Sequence, residues 1–126
     1  IKDREPIFAD PPCAREAVEA LYRTQDHYPF FLYGFVIMPD HIHLLLKATA
    51  PMTTSLIMNR YKTCVSHSIA RGPIWQRRFH IRCVEDSSAA LDYIHNNPWV
   101  KGLCEIPEAY PWSSASGKWD VSPLDV

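Results

Sequence analysis

Two apolar runs joined by a Pro-Asp pair constrain this chain more than anything else in it. Phe30 to Met38 reads FFLYGFVIM, dense in the aromatic and β-branched residues that suit a pleated, half-buried backbone. Pro39-Asp40 follows, a pair suited to a tight turn because proline presets φ. His41 to Lys47 then resumes the apolar pattern. A connection this short fits an antiparallel hairpin, since parallel strands need a crossover of a dozen residues or more. A lone hairpin is marginal in water, so the rest of the chain must cover it.

The flanking segments read as that cover. Residues 13–25 put Ala14, Ala17, Val18 and Leu21 on one helical face, and Asp26-His27-Tyr28-Pro29 stops the helix. Residues 53–70 carry Leu56, Ile57, Tyr61, Cys64, Val65, Ser68 and Ile69 at helical spacing, before Arg71-Gly72-Pro73. Trp75 to Val84 reads as a strand. Glu85 to Ser88 opens a helix that is expected to end at Asn96 or Asn97, because Pro98 disfavours helical geometry in the residue before it. The tail from Pro107 is turn-rich. Helix, strand, strand, helix, strand, helix predicts an α+β fold, a small antiparallel sheet with helices packed on one face. At 126 residues the chain is expected to form a single domain, 1–126.

Composition narrows the chemistry. Hydrophobic residues make up 47% and charged residues 21%, which excludes a disordered chain. Net charge is −1, unlike a wholly basic nucleic-acid binder. The charge is uneven, however: Lys47, Arg60, Lys62, Arg71, Arg77, Arg78 and Arg82 form a stretch with no Asp or Glu among them. Such a basic middle can hold phosphates on a near-neutral chain. Cys13, Cys64, Cys83 and Cys104 lack C-x-x-C spacing and read as reduced thiols. With no apolar run near membrane-spanning length and no leader pattern, the expectation is a cytoplasmic protein without a membrane partner.

His41-Ile42-His43 is the sharpest local feature. Strand side chains alternate, so both imidazoles share a face that Leu45 extends, while Ile42, Leu44 and Leu46 take the other. Two imidazoles so placed can share a divalent metal; they can equally be surface residues of a half-exposed strand. Tyr93 and Asn97 are four apart and share a helix face. An amide oxygen is a fair ligand for a hard cation, and a phenol one turn away can attack a polarised phosphodiester. The bland alternatives are an interfacial Tyr93 and an Asn97 that caps the helix. Tyr22, Tyr28, Tyr33, Tyr61 and Tyr110 compete as nucleophiles, Tyr61 foremost because Arg60 and Lys62 flank it.

Four blocks in order resemble a known family. Gly34-Phe35-Val36-Ile37-Met38-Pro39-Asp40-His41-Ile42-His43-Leu44-Leu45-Leu46 resembles the histidine motif of the REP-associated tyrosine transposases, part of the HUH class of single-strand transposases. Ile74-Trp75-Gln76-Arg77-Arg78-Phe79-His80 is similar to their WQR segment. Tyr93-Ile94-His95-Asn96-Asn97-Pro98, followed by Gly102-Leu103, is similar to YIxNNP, and Tyr110-Pro111-Trp112-Ser113-Ser114 to YPWSS. The resemblance implies a ferredoxin-like fold. It implies that His41 and His43 hold Mg2+ or Mn2+, with Asn97 at the place of a third polar ligand. It also implies that Tyr93 is the nucleophile that forms a 5′-phosphotyrosine link and frees a 3′-OH. The substrate implied is single-stranded DNA beside foldback hairpins.

Arg60, Lys62, Arg77 and Arg78 are the expected phosphate contacts, and Trp75, Phe79 or Trp112 the expected base contacts, with the core the stronger expectation for Trp112 and with His80 near the DNA. The first strand usual in the family is expected to be lacking ahead of Arg4-Glu5-Pro6-Ile7-Phe8, and the stretch from Lys62 to Trp75 is shorter than usual. The wider class works as dimers and the REP-associated branch is expected to work as a monomer, so monomer and homodimer both stay open. The alternative function is a domesticated hairpin-binding protein with lost or weak cleavage.

Overall fold

The computed structural model describes residues 6–69, 80–83 and 88–123. Helix α1 spans Pro11–His27, strand β1 Phe30–Met38 and strand β2 His41–Ala48. Helix α2 spans Thr54–Ile69, strand β3 His80–Cys83 and helix α3 Ser88–Val100. Short 3-10 turns occupy Ile7–Ala9, Pro107–Ala109 and Ser114–Ser116.

The hairpin forms in the expected register. Met38 faces His41 across the two-residue turn, Val36 faces His43 and Ile37 faces Ile42. A bulge at Tyr33 shifts the register between Leu32, opposite Leu46, and Gly34, opposite Leu45. The third strand departs from expectation. β3 pairs parallel to β2, with His80 beside His41 and Cys83 beside Leu44. The sheet, ordered β1-β2-β3, is therefore mixed rather than antiparallel. The helix between β2 and β3 supplies the crossover that parallel pairing requires.

The helices are divided between the two faces instead of sharing one. Phe35, Ile37, Ile42, Leu44 and Leu46 pack with Ala14, Ala17, Val18 and Leu21 of α1 and with Ile57, Tyr61 and Val65 of α2. On the opposite face Val36, Met38 and Leu45 pack with Ile94 of α3 and with Tyr110. The strands are apolar on both sides, so each face needs a cover. Burying Ile94 alone contributes about 1.5–3 kcal/mol to holding α3 in place.

Element ends follow local chemistry. α1 starts two residues earlier than its periodicity suggests, because Pro11 and Pro12 occupy the first turn, where a missing N–H costs nothing. α3 runs past Pro98 to Val100. Proline disfavours helical geometry in the residue before it, yet here it falls in the last turn, where little helix remains to disrupt. The amides of Lys101 and Leu103 bond the carbonyls of Asn97 and Pro98 and close the helix. Among the described residues, Cys13, Cys64 and Cys104 form no disulfide. Among the described residues, no helix is long and apolar enough to cross a membrane.

Candidate metal and nucleophile site

Strand alternation sets His41 and His43 on the α3 side of β2, with ring centroids 4.7 Å apart at 81°. His43 is buried, with 6% of its surface exposed. His41 Nδ1–H donates to Asp40 Oδ1 at 2.7 Å, leaving its Nε2 as the ring nitrogen open to a ligand. A carboxylate behind a histidine fixes its tautomer and ring orientation, a recurrent arrangement in metal sites. Asp40 read in the sequence only as a turn residue; its place directly before His-x-His was the available signal.

α3 brings two further groups to this face. The Tyr93 ring meets His43 edge to face, with centroids 5.6 Å apart and planes at 79°. Tyr93 is 56% exposed, so the side chain that would attack is within reach of a substrate. Asn97, one turn further along, is 95% buried, and its Oδ1 has no hydrogen-bond partner among the described residues. An orphaned buried acceptor costs about 1–3 kcal/mol, which a bound cation would offset. Among the described residues no cluster of three His, Cys, Asp or Glu is gathered for a metal. The donors on offer are two imidazoles and an amide oxygen, a mixed set that suits a divalent ion.

The pose of α3 is fixed by a clamp that sequence reasoning missed. Ser114 Oγ accepts from Phe35 N–H at 3.0 Å, lies 3.3 Å from Phe35 O and lies 2.8 Å from His95 Nε2. One hydroxyl thus ties β1 to α3. Tyr110 O–H donates to Ile37 O at 2.7 Å, and Ile37 N–H donates to Trp112 O. The Tyr-Pro-Trp-Ser-Ser block is therefore a strap across β1. Gly34 lies under it, and a Cβ there would collide with Leu91 Cδ1 and come within 3.3 Å of Ser114 Oγ. Burial pushes the His95 pKa down, against the opposing charges of Asp92 and Glu108.

Three of the rival tyrosines are otherwise engaged. Tyr61, the foremost competitor in the sequence, is fully buried, donates to Ala17 O at 2.8 Å and has its phenol pKa pushed up by burial. That removes it from consideration as a nucleophile. Tyr22 donates to Asp120 O, and burial, with Asp120 second, raises it to about 12. Burial, with Cys104 second, likewise raises Tyr110 to about 12.

The expected DNA contacts are divided. Arg60 and Lys62 lie exposed on α2, which covers the face opposite the histidines; the Arg60 guanidinium sits 5.5 Å over the Tyr28 ring. His80 is the β3 partner of His41. Trp75, Arg77, Arg78 and Phe79 lie outside the described residues.

Residues 1–97 match the family described as "Transposase IS200 like". A protein of Haemophilus influenzae named as a REP-associated tyrosine transposase is 34% identical over 113 aligned residues, covering 75% of this chain. The chain spans 64% of that relative's length. No solved structure matches the chain significantly.

Proposed function

The chain belongs to the IS200-like transposase family, and on that premise we propose that it cuts and rejoins single-stranded DNA beside foldback hairpins. The observation that carries this reading is the contact of an exposed tyrosine with a paired histidine: Tyr93 on His43 at 5.6 Å, with His41 4.7 Å from His43.

His41, His43 and Asn97 would hold Mg2+ or Mn2+. The buried Oδ1 of Asn97 and the Asp40-held tautomer of His41 fit such an ion. When bound, the cation supplies Lewis-acid stabilisation of the phosphate and favours the phenolate of a nearby tyrosine. Tyr93 loses its proton to solvent and attacks the scissile phosphorus. The P–O3′ bond breaks, the 3′ oxygen takes up a proton, and the 5′-phosphate remains esterified to Tyr93. A 3′-OH reverses the step and rejoins strands. Asp40 keeps His41 oriented, and the Ser114 strap keeps α3 over the sheet.

The helix-covered hairpin accords with a ferredoxin-like HUH domain. Tyr93 and both histidines belong to one chain and touch, so a monomer supplies the whole set. The basic side chains of Arg60, Lys62, Arg77 and Arg78 would track the strand away from the reacting centre, with stacking from Trp75 and Phe79 and with His80 close to His41.

The test is a denaturing gel. The protein is incubated with Mn2+ and 5′- or 3′-labelled strands carrying a foldback hairpin from its own genomic neighbourhood. A covalent band with the 3′-labelled strand, absent in Tyr93→Phe, is the expected result. Tight hairpin binding without any covalent band would point instead to a domesticated hairpin-binding protein.

A further inference from the structure

Beside His41 opens a cavity of about 500 Å³, apolar in Pro6, Met38, Pro39 and Leu103 and polar in Asp40, His41 and Lys101. That volume suits a group the size of one nucleotide. Proline, methionine and leucine offer flat apolar surface to a sugar or base. Asp40 turns its carboxylate to His41 Nδ1, leaving Lys101 as the cation of the lining.

Lys101 is placed by the same helix that carries the nucleophile. It sits one residue past the end of α3, and its backbone N–H donates to Asn97 O at 3.0 Å. Its flexible stem ends in a compact charge with three donors, suited to a phosphate oxygen. Among the described residues it has no ion pair, and it is exposed. A lysine at a helix C-terminus also complements the helix dipole. That role accounts for a lysine just past the helix end but not for its position in a cavity shared with His41.

We infer that Lys101 and this cavity form the subsite for the nucleotide adjoining the scissile phosphate, with the ammonium on a backbone phosphate and the nucleoside against Pro39 and Leu103. The identity of the ligand rests on the nuclease reading above; the binding test does not require cleavage.

Anisotropy of a fluorescein-labelled oligothymidylate of about 20 nucleotides is followed in EDTA across a KCl series, for the wild type, Lys101→Gln and Lys101→Arg. Loss of one phosphate contact lowers the slope of log affinity against log salt by about 0.7 in the glutamine variant. The arginine variant keeps the wild-type slope. A helix-dipole role alone would lower the melting temperature of Lys101→Gln and leave the slope unchanged, which overturns the subsite. Wild-type protein that binds no oligothymidylate overturns it as well. A slope change in a protein that forms no covalent adduct would sink the nuclease reading and leave Lys101 and its cavity as a nucleotide-binding subsite.

Discussion

Replacing Asn97 by leucine should make the metal-free protein more stable and the metal-loaded protein less so. The Asn97 Oδ1 is buried without a hydrogen-bond partner among the described residues, a burden of about 1–3 kcal/mol. Leucine keeps the branched heavy-atom outline of asparagine, with bulkier methyl ends, and joins the apolar cover supplied by Ile94, Val36 and Leu45. Allowing about 1 kcal/mol for interactions lost by the amide nitrogen, the net gain is about 1 kcal/mol. For a domain of this size that raises the melting temperature by about 3–5 °C. Saturating Mn2+ should work the other way. At a hundredfold excess over its Kd, an ion stabilises by about 2.7 kcal/mol, and the leucine variant should lose most of that gain. Thermal unfolding followed by circular dichroism, with EDTA and then with Mn2+, reads both effects. A leucine variant less stable than wild type in EDTA would show that Oδ1 is satisfied without metal. Equal Mn2+ stabilisation of both proteins would remove Asn97 from the ligand set.

Other changes test the support of the site. Gly34→Ala drives a methyl into Leu91 and should cost about 1–3 kcal/mol by thermal melt while weakening adduct formation, because α3 must move. Ser114→Ala strands the buried Phe35 amide and should cost about 1–3 kcal/mol in urea unfolding. Tyr61→Phe should lose about 1 kcal/mol with the Ala17 bond and still form the covalent adduct on a gel. His95 has its pKa lowered in the folded state, so the unfolded chain binds its proton more readily. Its contribution to stability is therefore present above the unfolded value of 6.5 and is lost as pH falls below it, and His95→Gln should flatten that part of the stability–pH curve.

The hairpin was legible because its signal is local: two runs of strand formers and a two-residue turn leave one pairing. The split of Ile42, Leu44 and Leu46 from His43 and Leu45 followed from alternation alone, and both sets lie where that predicts. The direction of β3 was not legible, since a four-residue strand carries no mark of which way it pairs. The division of helices between two faces was readable in principle, because Val36, Met38 and Leu45 are apolar on the side that α1 and α2 leave bare. The Ser114 clamp was hidden, as it joins residues 79 positions apart. Tyr61 ranked as the foremost rival nucleophile because its neighbours are basic. Helical spacing with Ile57 and Val65 was the better guide, and it put the ring in the core.

The most direct test of the central claim is the identity of the residue that carries the DNA. Trypsin cutting after Arg82 and Lys101 releases Cys83 to Lys101, in which Tyr93 is the only tyrosine. The adduct formed with Mn2+ and a hairpin-bearing strand is digested with nuclease and trypsin and mapped by mass spectrometry. A phosphonucleotide mass on that peptide, at Tyr93, is the predicted result. The same mass on a peptide carrying Tyr28, Tyr33 or another tyrosine would contradict the account.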